Sequence, residues 1–503
     1  MTYNAAADLI DRNLNAGRGA KTAFIDERGT HSYATLAGRA SRFANALHRL
    51  GLEREQRILL CLHDGIDFPT AFLGAIKSGI VPVPVNTMLS AAELAFMLAD
   101  SRARAVIVSA PLLGAMEAAL RQLSGQRPAV IVSGDNLEGL LANAPEAAET
   151  AATVADEACF WLYSSGSTGR PKGTVHVHTS LVQTAELYGV PVLGIAEDDV
   201  VYSAAKLFFA YGLGNSLSFP MAVGATSVLT AERPSPQIVA EILRQHRPTI
   251  FCGVPTLYNA MLASDDLPQP EELALRRCTS AGEPLPQEIG RRWSERIGVD
   301  ILDGIGSTEM LHIFLSNRPG EVRYGTTGKP VPGYALKIVG EDGDPVVPGE
   351  IGDLYVDGPT TAAQYWNSRE RSREAFLGRW TRTGDKYYQD PDGYYVYCGR
   401  SDDMLKVNGM YVSPAEVEAA LIAHEAVLEA AVVGAEDDAG LVKAKAFIVA
   451  RASVNADDAL AEALLAHTRA LLAPFKCPRW IEFIDDLPKT ATGKIQRFKL
   501  RGQ

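Results

Sequence analysis

A glycine- and hydroxyl-rich segment, YSSGSTGRPKGT at residues 163–174, has the composition of a phosphate-binding loop. It follows a short apolar run, so a strand should lead into a turn that presents N–H and O–H groups to an anion. Lys172 adds a positive charge. In a Walker A loop the lysine follows the second glycine and precedes Ser or Thr, whereas here Lys172 precedes Gly173. We predict a phosphate loop of another kind; a flexible surface loop is the alternative.

A second segment, DGIGSTE at residues 303–309, follows a mostly apolar stretch and is expected at the end of a strand. A carboxylate after a turn of glycines and hydroxyls suits Mg²⁺, which takes one or two carboxylates together with substrate phosphates. Glu309 is therefore a candidate metal ligand. The alternative is an ordinary helix start that is capped by Ser307 or Thr308.

Three further segments carry polar residues of interest. TRTGD at residues 381–385 places Asp385 in a predicted tight turn, where its carboxylate could accept two hydrogen bonds from a ribose diol. GRSDDMLKVNG at residues 399–409 lies at a predicted domain boundary. PKTATGKIQR at residues 488–497 is basic, and by itself it is typical of a solvated tail. None of the three specifies a function alone.

The elements that must position these segments alternate between helix and strand. Apolar residues at helical spacing end at Gly51, and short apolar runs follow at residues 58–62 and 80–85. Strands that are apolar on both faces indicate parallel sheets covered by helices. At residues 334–400 short strand-like pieces alternate with turn signals, which predicts an antiparallel subdomain.

After Arg400 the sequence predicts a compact α+β unit, whose first helix begins at a capping box of Ser413 and Glu416. The predicted fold class is α/β, with a large N-terminal domain of helix-covered sheets, a small antiparallel barrel-like subdomain and a small mobile C-terminal α+β domain. We place the N-terminal domain at residues 1–400, its antiparallel subdomain at about 320–400, and the C-terminal domain at 401–503.

Composition limits the classes of function. A chain of 503 residues is too long for one core, and a net charge of −12 argues against nucleic-acid binding. Six scattered cysteines without metal-ligand spacing fit reduced thiols in a cytoplasm. Residues 207–231 carry no charge, but glycines, a proline and an asparagine interrupt them, so we expect a buried passage rather than a membrane span.

Taken in this order, the five segments resemble those of the AMP-forming adenylating enzymes, which include acyl-CoA synthetases, nonribosomal-peptide adenylation domains and firefly luciferase. The resemblance covers nearly the whole chain. Within the superfamily, LFFAYGLGN at residues 207–215 and GIGSTEMLHIFLSN at residues 304–317 look like the benzoate–CoA ligase branch.

The resemblance implies the nucleotide contacts. Thr308 would contact the α-phosphate and Glu309 would bind Mg²⁺. Many relatives carry an aromatic ring at the position of Ile305, so adenine packing here must be more aliphatic. By resemblance the β- and γ-phosphates contact Ser164, Ser165, Gly166, Ser167, Thr168 and Lys172. The adenine and adjoining positions are Ala281, Gly282, Glu283, Asp303, Gly304, Ile305, Gly306 and Ser307, and the ribose positions are Asp385 and Arg400.

The resemblance also implies a second set of residues for the reaction steps. Lys494 matches the catalytic lysine and Asp402 the hinge about which the C-terminal domain rotates. Lys406 and Gly409 would then face the site during thioester formation and contact coenzyme A. The carboxylate substrate needs no general base, because it is already ionised at neutral pH; repulsion from the phosphates is the obstacle, and Mg²⁺ and Lys494 would offset it.

The acyl pocket implied by the resemblance is small. Ala210 and Gly306 leave room for a flat ring, and Tyr211 offers it a face or an edge. His312 meets either a ring substituent or a water, or it is a core histidine bonded to backbone, since neutral imidazole suits both roles. The matching wall residues are Phe209, Ala210, Tyr211, Gly306, His312 and Ile313.

The predicted activity is that of a cytoplasmic, monomeric or homodimeric benzoate–CoA ligase, which turns ATP, coenzyme A and benzoate or a small substituted benzoate into aryl-CoA, AMP and diphosphate. The substrates are small molecules, with neither nucleic acid nor membrane as a partner. Three alternatives stay open: a hydroxybenzoate or other aryl-CoA ligase, an adenylation enzyme that loads a carrier protein, and a non-catalytic nucleotide-binding or membrane-associated protein. No aspartate for an amino-acid ammonium group lies in residues 208–212, which disfavours an amino-acid substrate.

Overall fold

The computed structural model describes residues 2–125, 127–164, 171–401, 403–407, 410–437, 441–452, 454–489 and 495–501. The first part of the chain alternates between helix and strand as predicted. Its elements are α1 (Ala5–Asn15), β1 (Thr22–Asp26), β2 (Gly29–Ser32), α2 (Tyr33–Arg49), β3 (Arg57–Cys61), α3 (Asp67–Lys77), β4 (Val81–Pro84), α4 (Ala91–Ser101), β5 (Ala105–Ser109), α5 (Leu113–Arg121), β6 (Ala129–Ser133) and α6 (Asn136–Ala142).

The next part carries most of the segments singled out above. Its elements are β7 (Ala158–Ser164), β8 (Lys172–Val177), α7 (His178–Thr184), β9 (Val200–Ser203), α8 (Ala210–Leu213), α9 (Phe219–Val223), β10 (Thr226–Val228), α10 (Pro236–His246), β11 (Ile250–Gly253), α11 (Pro255–Leu262), β12 (Arg277–Ser280), α12 (Gln287–Ile297), β13 (Ile301–Gly306) and β14 (Ile313–Ser316).

The remaining elements are mostly strands. They are β15 (Lys329–Pro330), β16 (Ala335–Val339), β17 (Gly352–Asp357), β18 (Gln364–Tyr365), α13 (Arg369–Ala375), β19 (Phe376–Leu377), β20 (Trp380–Gln389), β21 (Tyr395–Arg400), β22 (Leu405–Val407), β23 (Met410–Val412), α14 (Pro414–Ile422), β24 (Val427–Glu436), β25 (Val442–Ala450), α15 (Asp458–Leu471) and β26 (Trp480–Phe483).

Two mainly parallel sheets form the centre of the fold. One has the order β4-β3-β5-β6, and every residue of β5 is buried. The other has the order β15-β14-β13-β12-β11-β9-β10-β1-β2, with parallel pairing from β13 to β1 and antiparallel strands at both edges. Strands buried on both faces need helices above and below, which explains their continuous apolar runs. The predicted helix-covered sheets are confirmed.

An antiparallel sheet and an α+β domain complete the chain. The first has the order β16-β17-β20-β19, with β21 paired to β20, and the second contains β24-β25-β26 beside α14 and α15. The predicted fold class is therefore confirmed. The capping box is only half formed: Ser413 accepts from the N–H of Glu416 at 3.1 Å, but the Glu416 carboxylate is hydrogen-bonded to Lys476.

The uncharged stretch at residues 207–231 breaks into short pieces. It contains α8, a π-helical turn (Gly214–Ser218), α9 and β10. Within the described residues, no helix is long and apolar enough to cross a membrane. The expectation of a buried passage is therefore confirmed.

Candidate active site

The predicted adenine residues follow two neighbouring parallel strands. Ser280 at the end of β12 pairs with Asp303 of β13, so Ala281, Gly282 and Glu283 come out of the sheet beside the last residues of β13. Carboxyl ends of parallel strands are the usual ligand-binding edge of such sheets. Gly282 has a φ of 97°, a conformation that favours glycine.

Asp303 is the buried acid of this edge. It is 6% exposed, and burial raises the pKa of its carboxyl well above the ordinary value. The nearby backbone N–H groups of Leu285 and Gly304 oppose that rise in the pKa. A carboxyl held this way suits contact with a polar, uncharged ligand edge better than contact with an anion.

The segment at residues 303–309 lies at the end of a strand as expected, but the strand is longer than its apolar run indicates, and the alternative of a helix start is wrong. Residues 303–306 lie inside β13 rather than after it, because β14 folds back and pairs with them. No helix begins at Ser307, since residues 307–311 form a turn between β13 and β14, and the Ser307 hydroxyl accepts from the N–H of Met310. β14 pairs with β13 as the second strand of a hairpin, and an interpretation of residues 303–309 alone misses this pairing.

Glu309 lies beside the phosphate loop. Its Oε1 accepts a hydrogen bond of 2.7 Å from the Tyr365 hydroxyl and a longer contact of 3.4 Å from Ser164. Next to it, the carbonyl of Thr308 accepts from Nε2 of His176 at 2.8 Å. Residues of β7, β8 and β18 thus bind the backbone of Thr308 and the carboxylate of Glu309.

His176 is a buried, uncharged histidine that holds the backbone of Thr308 in place. It is fully buried, and burial lowers the pKa of its imidazole to about 4 although the bond to the Thr308 carbonyl opposes the change. A carbonyl only accepts, so Nε2 carries the proton. The imidazole also stacks on Phe160 at 5.3 Å between ring centroids.

Lys172 is the first residue of β8, where the chain returns from the loop. Its ammonium lies 4.3 Å from the centroid of the Tyr365 ring. Burial lowers the pKa of Lys172, the Glu309 carboxylate opposes that change, and the charges of Arg371 and Arg400 add to it. The structure therefore brings the predicted phosphate-binding cation to the predicted metal ligand.

Asp385 and Arg400 pair across β20 and β21. Arg400 Nη1 donates to Asp385 Oδ1 at 3.0 Å and to the carbonyl of Thr383 at 3.1 Å. The predicted tight turn at residues 381–385 is wrong, because the segment lies within β20. Gly384 interrupts the regular strand there with a φ of 76°. The positive charge of Arg400 also lowers the pKa of Lys172, so the predicted ribose pair lies near Lys172.

The predicted acyl wall centres on His312. Its ring lies 5.5 Å from that of Tyr211, 5.3 Å from Tyr188 and 4.5 Å from Phe219, measured between centroids. The side chain is 2% exposed; Nε2 lies 3.3 Å from the carbonyl of Tyr211, and Nδ1 has no hydrogen bond to any described residue. Burial lowers the pKa of His312 to about 3, so it is neutral at physiological pH.

The other predicted wall residues surround this histidine. Phe209 and Ala210 pack against a buried apolar cluster that includes Phe208 and Leu213, and Tyr211 packs against a separate buried cluster that contains Ile313. Gly306 pairs with Ile313, and a β-carbon at position 306 would stand 2.6 Å from the carbonyl oxygen of His312. The glycine is thus required by the close approach of β14 as well as by any ring in the pocket.

Several predicted residues fall outside the described part of the chain. They are Ser165, Gly166, Ser167, Thr168, Asp402, Gly409 and Lys494; for Lys406, only the backbone in β22 is described. Their roles stay predictions from the sequence.

Sequence reasoning missed four supporting residues: His176, Tyr188, Phe219 and Tyr365. Tyr365 lies in a strand of two residues, and His176 bonds a residue 132 positions away. A histidine at an inward position of the return strand β8 was the one available signal. The others act through contacts that no local spacing encodes.

The residues at Glu309 fit a magnesium ion. Both hydroxyl contacts engage Oε1, and no described residue is hydrogen-bonded to Oε2, so one carboxylate oxygen remains for a cation. Across the described ranges no cluster of three or more His, Cys, Asp or Glu side chains could hold a metal. A single carboxylate combined with substrate phosphates and water is the set that Mg²⁺ prefers.

Comparison with known proteins agrees with this geometry. Residues 11–366 match the AMP-binding enzymes, and residues 416–494 match the AMP-binding enzyme C-terminal domain. The chain therefore belongs to the AMP-binding enzyme family. It is 61% identical to a benzoate–CoA ligase of Thauera aromatica, over 99% of this chain and 96% of that protein. It is 51% identical to a 4-hydroxybenzoate–CoA/benzoate–CoA ligase of Rhodopseudomonas palustris, over 99% and 94% respectively.

Solved structures give the same result. A benzoate CoA ligase from Burkholderia xenovorans LB400 superposes with a TM-score of 0.94 at 56% identity, covering 99% of this chain and all of that one. An anthranilate CoA ligase in complex with anthranoyl-AMP superposes with a TM-score of 0.95 at 42% identity, covering 99% and 97%.

Proposed function

We propose that the protein is an AMP-forming benzoate–CoA ligase. The observation that carries the proposal is the 61% identity to a benzoate–CoA ligase, which holds over 99% of this chain. The arrangement of Lys172, Glu309 and the Asp385–Arg400 pair supports ATP as the cosubstrate. Cytoplasmic location and a monomeric or homodimeric state stay predictions from the sequence.

In the first step a carboxylate oxygen of benzoate attacks the α-phosphorus of ATP. A bond forms between that oxygen and phosphorus, the bond to the β-phosphate oxygen breaks, and diphosphate leaves with the electron pair. Benzoate is already ionised, so the chain has no proton to remove and must instead lower the repulsion between two anions. Lys172 and Lys494 would supply positive charge, and Glu309 would hold Mg²⁺. When bound, Mg²⁺ neutralises charge on the triphosphate.

In the second step the thiol of coenzyme A attacks the carbonyl carbon of benzoyl-AMP. A carbon–sulfur bond forms, the thiol gives up its proton to solvent, the bond from the carbonyl carbon to the phosphate oxygen breaks, and AMP leaves with the electron pair. The two steps need different groups at one carbonyl, namely Lys494 first and a free path for the thiol second. A rotation of the C-terminal domain (residues 401–503) against residues 1–400, about Asp402, would exchange them and turn Lys406 and Gly409 toward the site.

The acyl wall supports a small aromatic acid. Tyr211, Phe209 and the neutral imidazole of His312 present flat apolar surfaces, and no charged group of the described wall would meet a substrate ammonium. Ala210 adds little volume. A ring of benzoate size suits such a surface, because aromatic pairs prefer offset or edge-to-face contact.

A hydroxybenzoate substrate is the second candidate. Nδ1 of His312 is buried without a hydrogen bond to any described residue, so a ring hydroxyl could satisfy it. The Rhodopseudomonas palustris relative is a 4-hydroxybenzoate–CoA/benzoate–CoA ligase, which favours testing the two acids together.

One substrate panel tests the function. Diphosphate release and thioester formation are measured with benzoate, hydroxy-, amino- and halobenzoates, cyclohexanecarboxylate and hexanoate. We expect the highest kcat/KM for benzoate with coenzyme A as acceptor. A preference for hexanoate would overturn the aryl assignment. Release of diphosphate without transfer to coenzyme A would favour an enzyme that loads a carrier protein.

A further inference from the structure

Tyr365 contacts two groups of opposite charge in the ATP site. Its hydroxyl donates to Glu309 Oε1 at 2.7 Å, and the face of its ring lies 4.3 Å from the Lys172 ammonium. The side chain is only 4% exposed. Tyr365 therefore lies between the predicted metal ligand and the predicted phosphate-binding cation.

Tyr365 contacts the two charges by different parts of its side chain, the hydroxyl for Glu309 and the ring for Lys172. In the part of the chain that the structure describes, Lys172 and Glu309 form no ion pair with each other, although the Glu309 carboxylate is close enough to raise the pKa of Lys172. In a direct ion pair, each group would neutralise the other. Lys172 would then offer less positive charge to phosphates, and Glu309 less negative charge to a cation. The negative face of an aromatic ring stabilises the ammonium without neutralising it.

The backbone around Tyr365 fixes this placement. Within the clamp segment (residues 362–366), the N–H of Ala362 donates to the carbonyl of Glu309 at 2.8 Å, and the N–H of Trp366 donates to the carbonyl of Gly173 at 2.7 Å. Tyr365 itself pairs with Thr174 of β8. The clamp segment thus ties the turn that carries Glu309 to the strand that carries Lys172.

We propose that Tyr365 is a positioning residue for Mg²⁺-ATP: its hydroxyl orients the Glu309 carboxylate, and its ring holds the Lys172 ammonium over the phosphates. The hydroxyl engages Oε1 and leaves Oε2 available to a cation. The inference rests on the proposed function in one respect only: the proposed function identifies ATP as the ligand. It concerns ATP binding and the adenylation half-reaction, and it leaves thioester formation from a preformed adenylate unaffected.

Tyr365→Phe and Tyr365→Leu separate the two contacts. ATP affinity is measured by isothermal titration calorimetry with Mg²⁺ and with EDTA. Because removal of a group that orients a metal ligand commonly costs about 10- to 100-fold, we expect Tyr365→Phe to weaken ATP binding by that range in Mg²⁺ and by less than about 3-fold in EDTA. Tyr365→Leu also removes the surface under Lys172, so we expect a further loss that persists in EDTA.

The matched control is Tyr324→Phe. The Tyr324 hydroxyl also donates to a carboxylate, Asp300 at 2.9 Å, but at the opposite end of β13. We expect that control to bind ATP as the unsubstituted protein does. The rate of thioester formation from benzoyl-AMP and coenzyme A should be equal in all variants, which separates a positioning role from a folding defect.

Two results would overturn the inference. One is an affinity for Mg²⁺-ATP in Tyr365→Phe equal to that of Tyr324→Phe. The other is a loss as large in EDTA as in Mg²⁺, accompanied by slower thioester formation, which would assign Tyr365 a purely structural role. Failure of the unsubstituted protein to activate any aryl acid would contradict the proposed function, but the binding comparison would still decide the role of Tyr365.

Discussion

Gly214 lies against the imidazole of His312. A β-carbon built on Gly214 would stand 2.3 Å from Cδ2 and 2.7 Å from Nε2 of that ring. The rings of Tyr188, Tyr211 and Phe219 also lie within 4.5 to 5.5 Å of the imidazole, measured between centroids. The position of His312 in the predicted acyl wall therefore depends on the absence of a side chain at residue 214.

Gly214→Ala should displace His312 and narrow the acyl site. Overpacking of this kind costs about 1–3 kcal/mol of stability. We expect a lower melting temperature and a lower kcat/KM for benzoate, while the KM for ATP stays unchanged. Gly139→Ala is the control, because a β-carbon there meets no atom within 4 Å. Equal benzoate kinetics in the two variants would contradict the role of position 214.

His312→Ala should enlarge the acyl site. Removal of a buried side chain commonly costs about 2–5 kcal/mol, and the space beside Tyr211 would admit larger rings. We expect a lower melting temperature and a higher ratio of kcat/KM for 4-substituted benzoates over benzoate. His48→Ala, at an exposed position of α2, serves as the control. An unchanged ratio would mean that His312 does not line the pocket.

Glu309→Gln should impair use of Mg²⁺-ATP. The amide keeps an acceptor for Tyr365 but loses the negative charge that a cation requires. We expect the rate of adenylate formation to fall by about 100-fold, and half-saturation to require more Mg²⁺. Diphosphate release against Mg²⁺ concentration measures both. Glu295→Gln on the exposed side of α12 should behave normally; an identical Mg²⁺ dependence would exclude Glu309 as the ligand.

The buried histidines should make stability depend on pH. Burial lowers the pKa of both His176 and His178 to about 4, so the folded chain excludes protons that the unfolded chain binds below about pH 6.5. Each therefore removes up to about 1.4 kcal/mol of stability per pH unit as pH falls from about 6.5 toward 4. Asp64 has the opposite effect. Burial raises the pKa of its carboxyl to about 6, so its protonation stabilises the folded chain as pH falls below about 6.

A variant separates these contributions. We expect the melting temperature of His178→Gln to fall less between pH 7.5 and pH 5 than that of the unsubstituted protein. The exposed His48→Gln should show the original loss. If His178→Gln and His48→Gln lose equal amounts, burial of His178 does not govern the acid sensitivity.

The pattern of apolar residues correctly predicted helices and strands that bury one or both of their faces. The apolar run of β5 and the helical spacing of α2 up to Gly51 are signals of this kind. It failed at residues 303–306 and 381–385. Pairing with β14 extends β13 through Gly306, and pairing with β17 and β21 places the expected tight turn inside β20. The partner strands lie outside these segments, so the pattern within each segment does not contain them.

The candidate site divides in the same way. Residue types and order predicted Lys172 and Glu309, and the structure brings them together. Tyr365 was not predicted, because its importance comes from lying between those two residues rather than from its own neighbours in sequence. The arrangement of aromatic rings around His312 was likewise not predicted, because the rings come from residues far from His312 in the sequence.

The most direct test of the account measures the two half-reactions of Lys494→Ala separately. Diphosphate release from ATP and benzoate reports adenylate formation, and thioester appearance from supplied benzoyl-AMP and coenzyme A reports the second step. Because Lys494 is proposed to offset charge only in the first step, we expect adenylate formation to be abolished and thioester formation to be largely retained. Equal loss of both half-reactions would contradict the two-step account with domain rotation.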